Sequence, residues 1–135
     1  MNNGRFAIAL HILVLLTKNQ GELLSSEYIA GSININAAMV RKALQGLKQK
    51  GFVQSKEGKH GGVSLAKNPQ DIILSQIYSS IRETAILGSK QQPNPNCLVG
   101  KQINTHLDTL YRDAEKALVE ALGKQTLLEF AQKFK

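Results

Sequence analysis

The 135-residue sequence has one cysteine, three prolines, no tryptophan and only 5% aromatic residues. Cys97 alone cannot form an internal disulfide or supply a tetrahedral zinc site. Long hydrophobic runs are missing too. The longest, residues 6–16, spans about a dozen positions and includes His11, too short to cross a bilayer and typical of a buried helix. Arg5 ahead of that run imitates a secretory leader, but Thr17-Lys18-Asn19-Gln20 offers no small-residue cleavage site, so a cytoplasmic protein is expected. Negative charge is scarce: ten acidic against seventeen basic side chains leave a net +7. Such a balance favours an anionic partner, most economically nucleic acid. The 42% hydrophobic and 20% charged composition is that of a soluble globular protein, long enough for one compact domain with an appended element.

Along the chain, Phe6, Ala9, Leu10, Leu13 and Val14 recur at helical spacing while Ile8, Ile12, Leu15 and Leu16 make other faces apolar, which predicts a first helix buried on several sides. Ser25 or Ser26 can cap a short second helix that runs through Ala30 and ends at Gly31. Asn34 or Asn36 opens a third, on which Val40, Ala43, Leu44 and Leu47 form one apolar face and Lys50-Gly51 the stop. Two short helices joined by residues 31–34 and preceded by a buried helix make the helix-turn-helix plan. Residues 52–55 and 63–65 then read as strands around a glycine-rich turn at 56–62, a candidate wing. Leu74, Ile77, Tyr78 and Ile81 suggest another helix, and 93–96 a loop.

Residues 101–122 form a long helix on which Ile103, Leu107, Leu110, Ala114, Ala117 and Ala121 make a heptad-like seam that wants a partner helix. Tyr111, Leu118 and Leu122 add a flanking line able to pack on the domain, and Gly123 precedes a last short helix through Phe134. The expected fold is mainly α with a small β-hairpin wing: a winged helix-turn-helix domain at 1–87, a loop carrying Cys97 at 88–100, and a dimerisation helix with a terminal helix at 101–135.

Charge is uneven. Residues 1–70 hold nine basic and three acidic side chains, residues 71–135 eight and seven. Arg5, Arg41, Lys42, Lys56, Lys59 and His60 are therefore candidate phosphate or groove contacts, with Lys48, Lys50 and Lys67 nearby. Asn34, Asn36, Ala37 and Ala38 sit where a recognition helix meets base edges, although either asparagine could simply cap. Ser25 and Ser26 could bond a phosphate as well as cap. Gly61 and Gly62 belong to a hairpin tip and not to a nucleotide loop, because no Gly-Lys-Ser/Thr pair opens a helix after them.

Residues 33–69, with Val40-Arg41-Lys42, Leu44, Leu47, Gly51-Phe52-Val53, Ser55-Lys56, Gly58, Gly61-Gly62, Leu65-Ala66 and Pro69, resemble the Rrf2 family of dimeric bacterial winged-helix regulators. The likeness extends to Arg5-Phe6-Ala7 and to Gly123-Lys124-Gln125-Thr126-Leu127. It implies that residues 34–42 read a major groove, 56–62 form the wing and 101–122 dimerise, in a transcriptional regulator expected to repress. Double-stranded DNA and a second copy are the implied partners.

Cluster-binding members of the family carry three cysteines before the long helix. This chain has Cys97 alone, so no metal or other cofactor is expected. Cys97 lies just before the long helix, where the free amides of the first turn and nearby Lys101 favour the thiolate, and it is either an oxidant or electrophile sensor or a packed thiol. A constitutive regulator without thiol sensing is the alternative. An enzyme using Cys97 and His106 is a remote one, because their spacing matches no catalytic motif.

Overall fold

The computed structural model describes residues 4–82 and 87–135. In order these form α1 (Arg5–Lys18), α2 (Ser26–Ile33), α3 (Ala37–Gln49), β1 (Val53–Lys56), β2 (Gly62–Leu65), a 3-10 turn (Pro69–Asp71), α4 (Leu74–Ile81), α5 (Leu98–Leu122) and α6 (Leu127–Ala131). The mainly helical winged-helix fold with a long C-terminal helix agrees with the sequence pattern.

Helix α1 occupies the centre, with α2, α3, α4, α6 and β2 packed around it. Ile12 and Leu13 are fully enclosed and Ala9, Val14 and Leu16 nearly so. Neighbours on several sides are the reason its apolar residues are not confined to one stripe. Thr17, at its end, is buried with its hydroxyl donating to the Leu13 carbonyl at 2.7 Å, which leaves the buried oxygen satisfied.

Two local expectations change. Helix α2 continues through Gly31 to Ile33 and stops at Asn34, whose φ of 65° is left-handed. The amides of Asn34 and Ile35 both donate to the Ala30 carbonyl, at 2.8 and 3.1 Å. Asparagine tolerates this conformation, whereas Gly31 keeps helical geometry, so the stop signal is Asn34. The terminal helix α6, grouped with the long helix by sequence position, is built into the core. Leu127 and Ala131 are buried, and the Leu127 amide donates to the Ile72 carbonyl at 2.7 Å. A reciprocal cap starts it: the Glu129 amide donates to Thr126 Oγ1 at 3.1 Å and the Thr126 amide to Glu129 Oε1 at 2.9 Å. The Thr126 amide, and after it the Thr126 side chain, bond to the ionised form and hold the Glu129 carboxyl below its usual range.

The 25 residues of α5, roughly 37 Å of helix, include none that is fully buried. Leu122 packs against the core, and polar contacts hold the helix at two further places among the described residues. The Tyr78 hydroxyl of α4 donates to Glu115 Oε1 at 2.6 Å, and Arg82 pairs with the same carboxylate. Ahead of α5 the chain runs back along the helix: Lys90 pairs with Asp108, and Asn104 Nδ2 donates to the Gln91 carbonyl at 2.9 Å. Asn104, Asp108, Glu115, Leu118 and Leu122 fall on one stripe, and at about 100° per residue the apolar seam from Ile103 to Ala121 lies roughly a quarter turn away from it. Among the described residues no helix covers the seam: Leu110 is 58% exposed and Ala117 and Ala121 are exposed, while Ile103, Leu107 and Ala114 are partly buried.

Partial burial, the hydrogen bond to Glu115 and the charge of that carboxylate together raise the Tyr78 phenol to about 12, with Arg82 opposing them. The protonated form is thus favoured in the folded state, so the stability Tyr78 contributes is complete below pH ~10, its ordinary value, and is lost as pH rises through about 12. Alkaline ultraviolet titration of wild type against Tyr78→Phe should resolve this late ionisation, and Glu115→Gln should move it back toward the ordinary tyrosine value. A phenol in the wild-type protein that ionises at the ordinary value would show that the α4–α5 attachment does not form.

Candidate nucleic-acid interface

Helix α3 begins because Asn36 caps it: the Met39 amide donates to Asn36 Oδ1 at 2.9 Å. Its buried side, Val40, Leu44 and Leu47, packs toward α1 and β1 and turns Ala38, Arg41, Gln45 and Lys48 outward as one exposed stripe. The structure therefore separates the residues grouped at the start of this helix. Asn34 belongs to the turn and ends α2. Ala37 is partly buried against the core, while Ala38 is exposed. Asn36 keeps its amide group at the outer edge while its oxygen caps.

Ser25 caps α2 by accepting from the Tyr28 amide at 3.0 Å, and Ser26 opens the helix half-buried. Neither role depends on DNA. Arg41 reaches Glu27 of α2 at 3.5 Å, both side chains largely exposed, so the two helices of the motif share an ion pair on the outer surface. Such a pair adds little stability but orients the guanidinium. Glu27, Tyr28, Met39 and Gln45 all lie exposed beside the candidate residues without having been singled out in the sequence. The only available signal was their position on the faces opposite the buried residues.

The wing pairs Val53 with Leu65, Gln54 with Ser64, Ser55 with Val63 and Lys56 with Gly62. Lys48 Nζ donates to Ser55 Oγ at 2.8 Å and ties the end of α3 to the base of the hairpin. Lys56, Lys59 and His60 are exposed around the tip. Lys67 is placed differently, 5.7 Å from the Phe52 ring centroid, where it covers the aromatic face. Arg5 sits at the start of α1, across a cavity from Lys42 and apart from the wing.

The paired glycines have a structural cause. A Cβ on Gly61 would collide with the Lys56 carbonyl, and one on Gly62 would sit 2.7 Å from the Leu24 carbonyl. Gly62 lies close because Leu24 and Val63 exchange two backbone hydrogen bonds, of 3.0 and 2.8 Å, that fasten the wing to the segment before α2. At φ 154° Gly62 is also outside the comfortable range of other residues. Gly62→Ala should cost more than about 1 kcal/mol in urea unfolding and weaken amide-exchange protection at Leu24 and Val63. A neutral substitution would mean the wing is not held at this point.

A model of the Rrf2 family, described as an iron-dependent transcriptional regulator, matches residues 2–133. The chain is 36% identical over 128 residues to YwnA of Bacillus subtilis, described as an HTH-type transcriptional regulator, covering 94% of each chain. Among solved structures, one described as a DNA-binding protein superposes with a TM-score of 0.75 at 33% identity, covering 93% of this chain and 97% of that one. CymR of B. subtilis, the global cysteine regulator, superposes with a TM-score of 0.73 at 21% identity over 100% of this chain and 98% of its own, a likeness of fold. The iron in the family description does not fit the donors present. Cys97 is the single cysteine, and the described residues bring together no three His, Cys, Asp or Glu side chains able to hold a metal. Matched over nearly its whole length, the chain belongs to the Rrf2 family of winged-helix transcriptional regulators.

Proposed function

We propose that this DNA-binding regulator acts as a homodimeric repressor on a two-fold operator, with α3 of each protomer in a major groove and the β1–β2 loop along adjacent phosphates. The observation that carries the reading is the exposed stripe Ala38, Arg41, Gln45 and Lys48 on a helix whose opposite side is locked into the core. Phosphate contacts fall to Arg41, Lys42, Lys56, Lys59 and His60, and base contacts to Asn36 and Ala38. The candidate contacts at Arg5, Ser25, Ser26, Asn34, Ala37, Gly61 and Gly62 are better explained as supports of this surface. Among the described residues no helix is long and apolar enough to cross a membrane, in keeping with a cytoplasmic protein.

Dimerisation rests on the open seam of α5. Pairing two such helices would bury Ile103, Leu107, Leu110, Ala114, Ala117 and Ala121 and set the two α3 helices roughly one DNA turn, about 34 Å, apart. The protein is read as a regulator without turnover, since Cys97 at the cap of α5 and His106 on it are separated by about 13 Å along the helix axis, too far to share a proton.

Arg41→Ala, Lys56→Ala and Lys59→Ala should each weaken duplex binding, and each lost phosphate contact should lower the slope of log K against log salt by about 0.9. Asn36→Ser, which preserves a cap, should change sequence preference more than affinity for random duplex. Leu110→Glu should yield a folded monomer in sedimentation and lose operator affinity. Unchanged duplex binding in the three cation variants would move the DNA surface elsewhere, and a persistent Leu110→Glu dimer would remove the seam as interface.

A thiol-redox response is the second reading, favoured by the exposure of Cys97 at the N-terminal cap of α5 beside Leu98 and Val99, themselves 73% and 66% exposed. An electrophile such as diamide would accept two electrons and two protons from two Cys97 thiols, one from each protomer, and leave one disulfide across the dimer. Diamide should lower operator affinity in wild type and not in Cys97→Ser. Equal affinity after demonstrated modification of Cys97 would leave a constitutive regulator.

A further inference from the structure

Helix α3 has a third face. Taken at about 100° per residue, Val40, Leu44 and Leu47 face the core, Ala38, Arg41, Gln45 and Lys48 face outward, and Met39, Lys42, Ala43, Gly46 and Lys50 point in a third direction roughly 120° from each. That third face lines an open cavity of about 440 Å³, whose other described walls come from the first turns of α1 and the end of α4. Ile8, Ala43 and Ile81 make its floor apolar. Lys42, Lys50, Arg5 and Arg82 stand around it, and no carboxylate is among the described lining residues.

The charges are not all committed elsewhere. Arg82 pairs with Glu115, whereas the Lys42 and Lys50 ammonium groups have no ion-pair partner among the described residues. Gln49 adds an amide at the wall, whereas the Ser80 hydroxyl donates to the Ile77 carbonyl at 2.7 Å. A hollow of this volume with both apolar and polar walls can take a small molecule, and the Lys42 and Lys50 ammonium groups, without an ion-pair partner among the described residues, favour a negative charge.

We propose that this cavity binds a small organic anion with a compact apolar body, such as an aromatic carboxylate, and that its occupancy weakens DNA binding. The second half of the inference rests on the DNA-binding reading above. The body would sit on Ile8, Ala43 and Ile81 and the carboxylate between Lys42 and Lys50. Lys42 is then drawn from the phosphates it would otherwise meet. The same occupant lies beside Arg82 and competes with Glu115 for it, so one ligand touches both α3 and the attachment of α5.

The test uses the full chain, with naphthoate as probe and naphthol as its neutral analogue, first without DNA. Naphthoate should bind saturably, about tenfold tighter than naphthol, and shift the amide resonances of Ala43, Gly46 and Ile81. A Cβ on Gly46 meets nothing within 4 Å, so Gly46→Leu should fill the cavity and abolish naphthoate binding while the circular dichroism stays helical. Lys50→Gln, which leaves the volume unchanged, should erase the preference for the anion and supplies the test should Gly46→Leu fail to fold. With duplex present, saturating naphthoate should raise the dissociation constant about fivefold in wild type and not in Gly46→Leu. Equal affinity for naphthol, or binding that survives both variants, would overturn the site. Naphthoate binding that leaves duplex affinity unchanged would overturn the coupling. If the unliganded protein failed to bind any duplex, the DNA reading would fall while the cavity result stood by itself.

Discussion

Burial of α1 is the constraint on which the rest of the molecule depends. Ile12 and Leu13 lose all contact with solvent, and each such side chain contributes about 1.5–3 kcal/mol relative to exposure. Because α2, α3, α4, α6 and β2 each cover part of α1, they have no freedom to rotate relative to one another without opening the core. The outward stripe of α3 is a consequence. Val40, Leu44 and Leu47 must face inward, and the helical repeat then decides which side chains are offered to a groove.

Two of the candidate contact residues are caps. Asn36 Oδ1 is occupied by the Met39 amide and Ser25 Oγ by the Tyr28 amide, so both helices of the motif start at fixed points. The wing is fixed in a similar way, from its base: Lys48 joins it to α3, and Leu24 joins it to the segment before α2. Its tip, with Lys56, Lys59 and His60, is left to solvent. A rigid base with an exposed basic tip suits contacts to phosphate, where position matters more than depth.

The long helix is governed by a different balance. Besides Leu122 packed against the core, two polar attachments, Tyr78 and Arg82 on Glu115 and the 87–97 segment along Asn104 and Asp108, hold α5, and none of its residues is fully buried. Apolar surface left open by such a polar attachment is available to a second copy.

Apolar periodicity, cap residues and turn glycines by themselves determined the helices and the hairpin with its turn, since each depends on side chains a few residues apart, and composition alone showed the charge asymmetry. Periodicity also marked α5 as having two apolar lines. What only the tertiary structure decided were choices between neighbours equally able to act. Asn34 and not Gly31 ends α2, because the Ala30 carbonyl takes both following amides; Ala37 turns toward the core and Ala38 away from it; α6 returns to α1 through the Leu127–Ile72 bond. The cavity face of α3 and the Glu115 attachment were illegible for the same reason. Each joins side chains 30 or more positions apart, and a sequence pattern records which faces are apolar but not which distant segment comes to cover them.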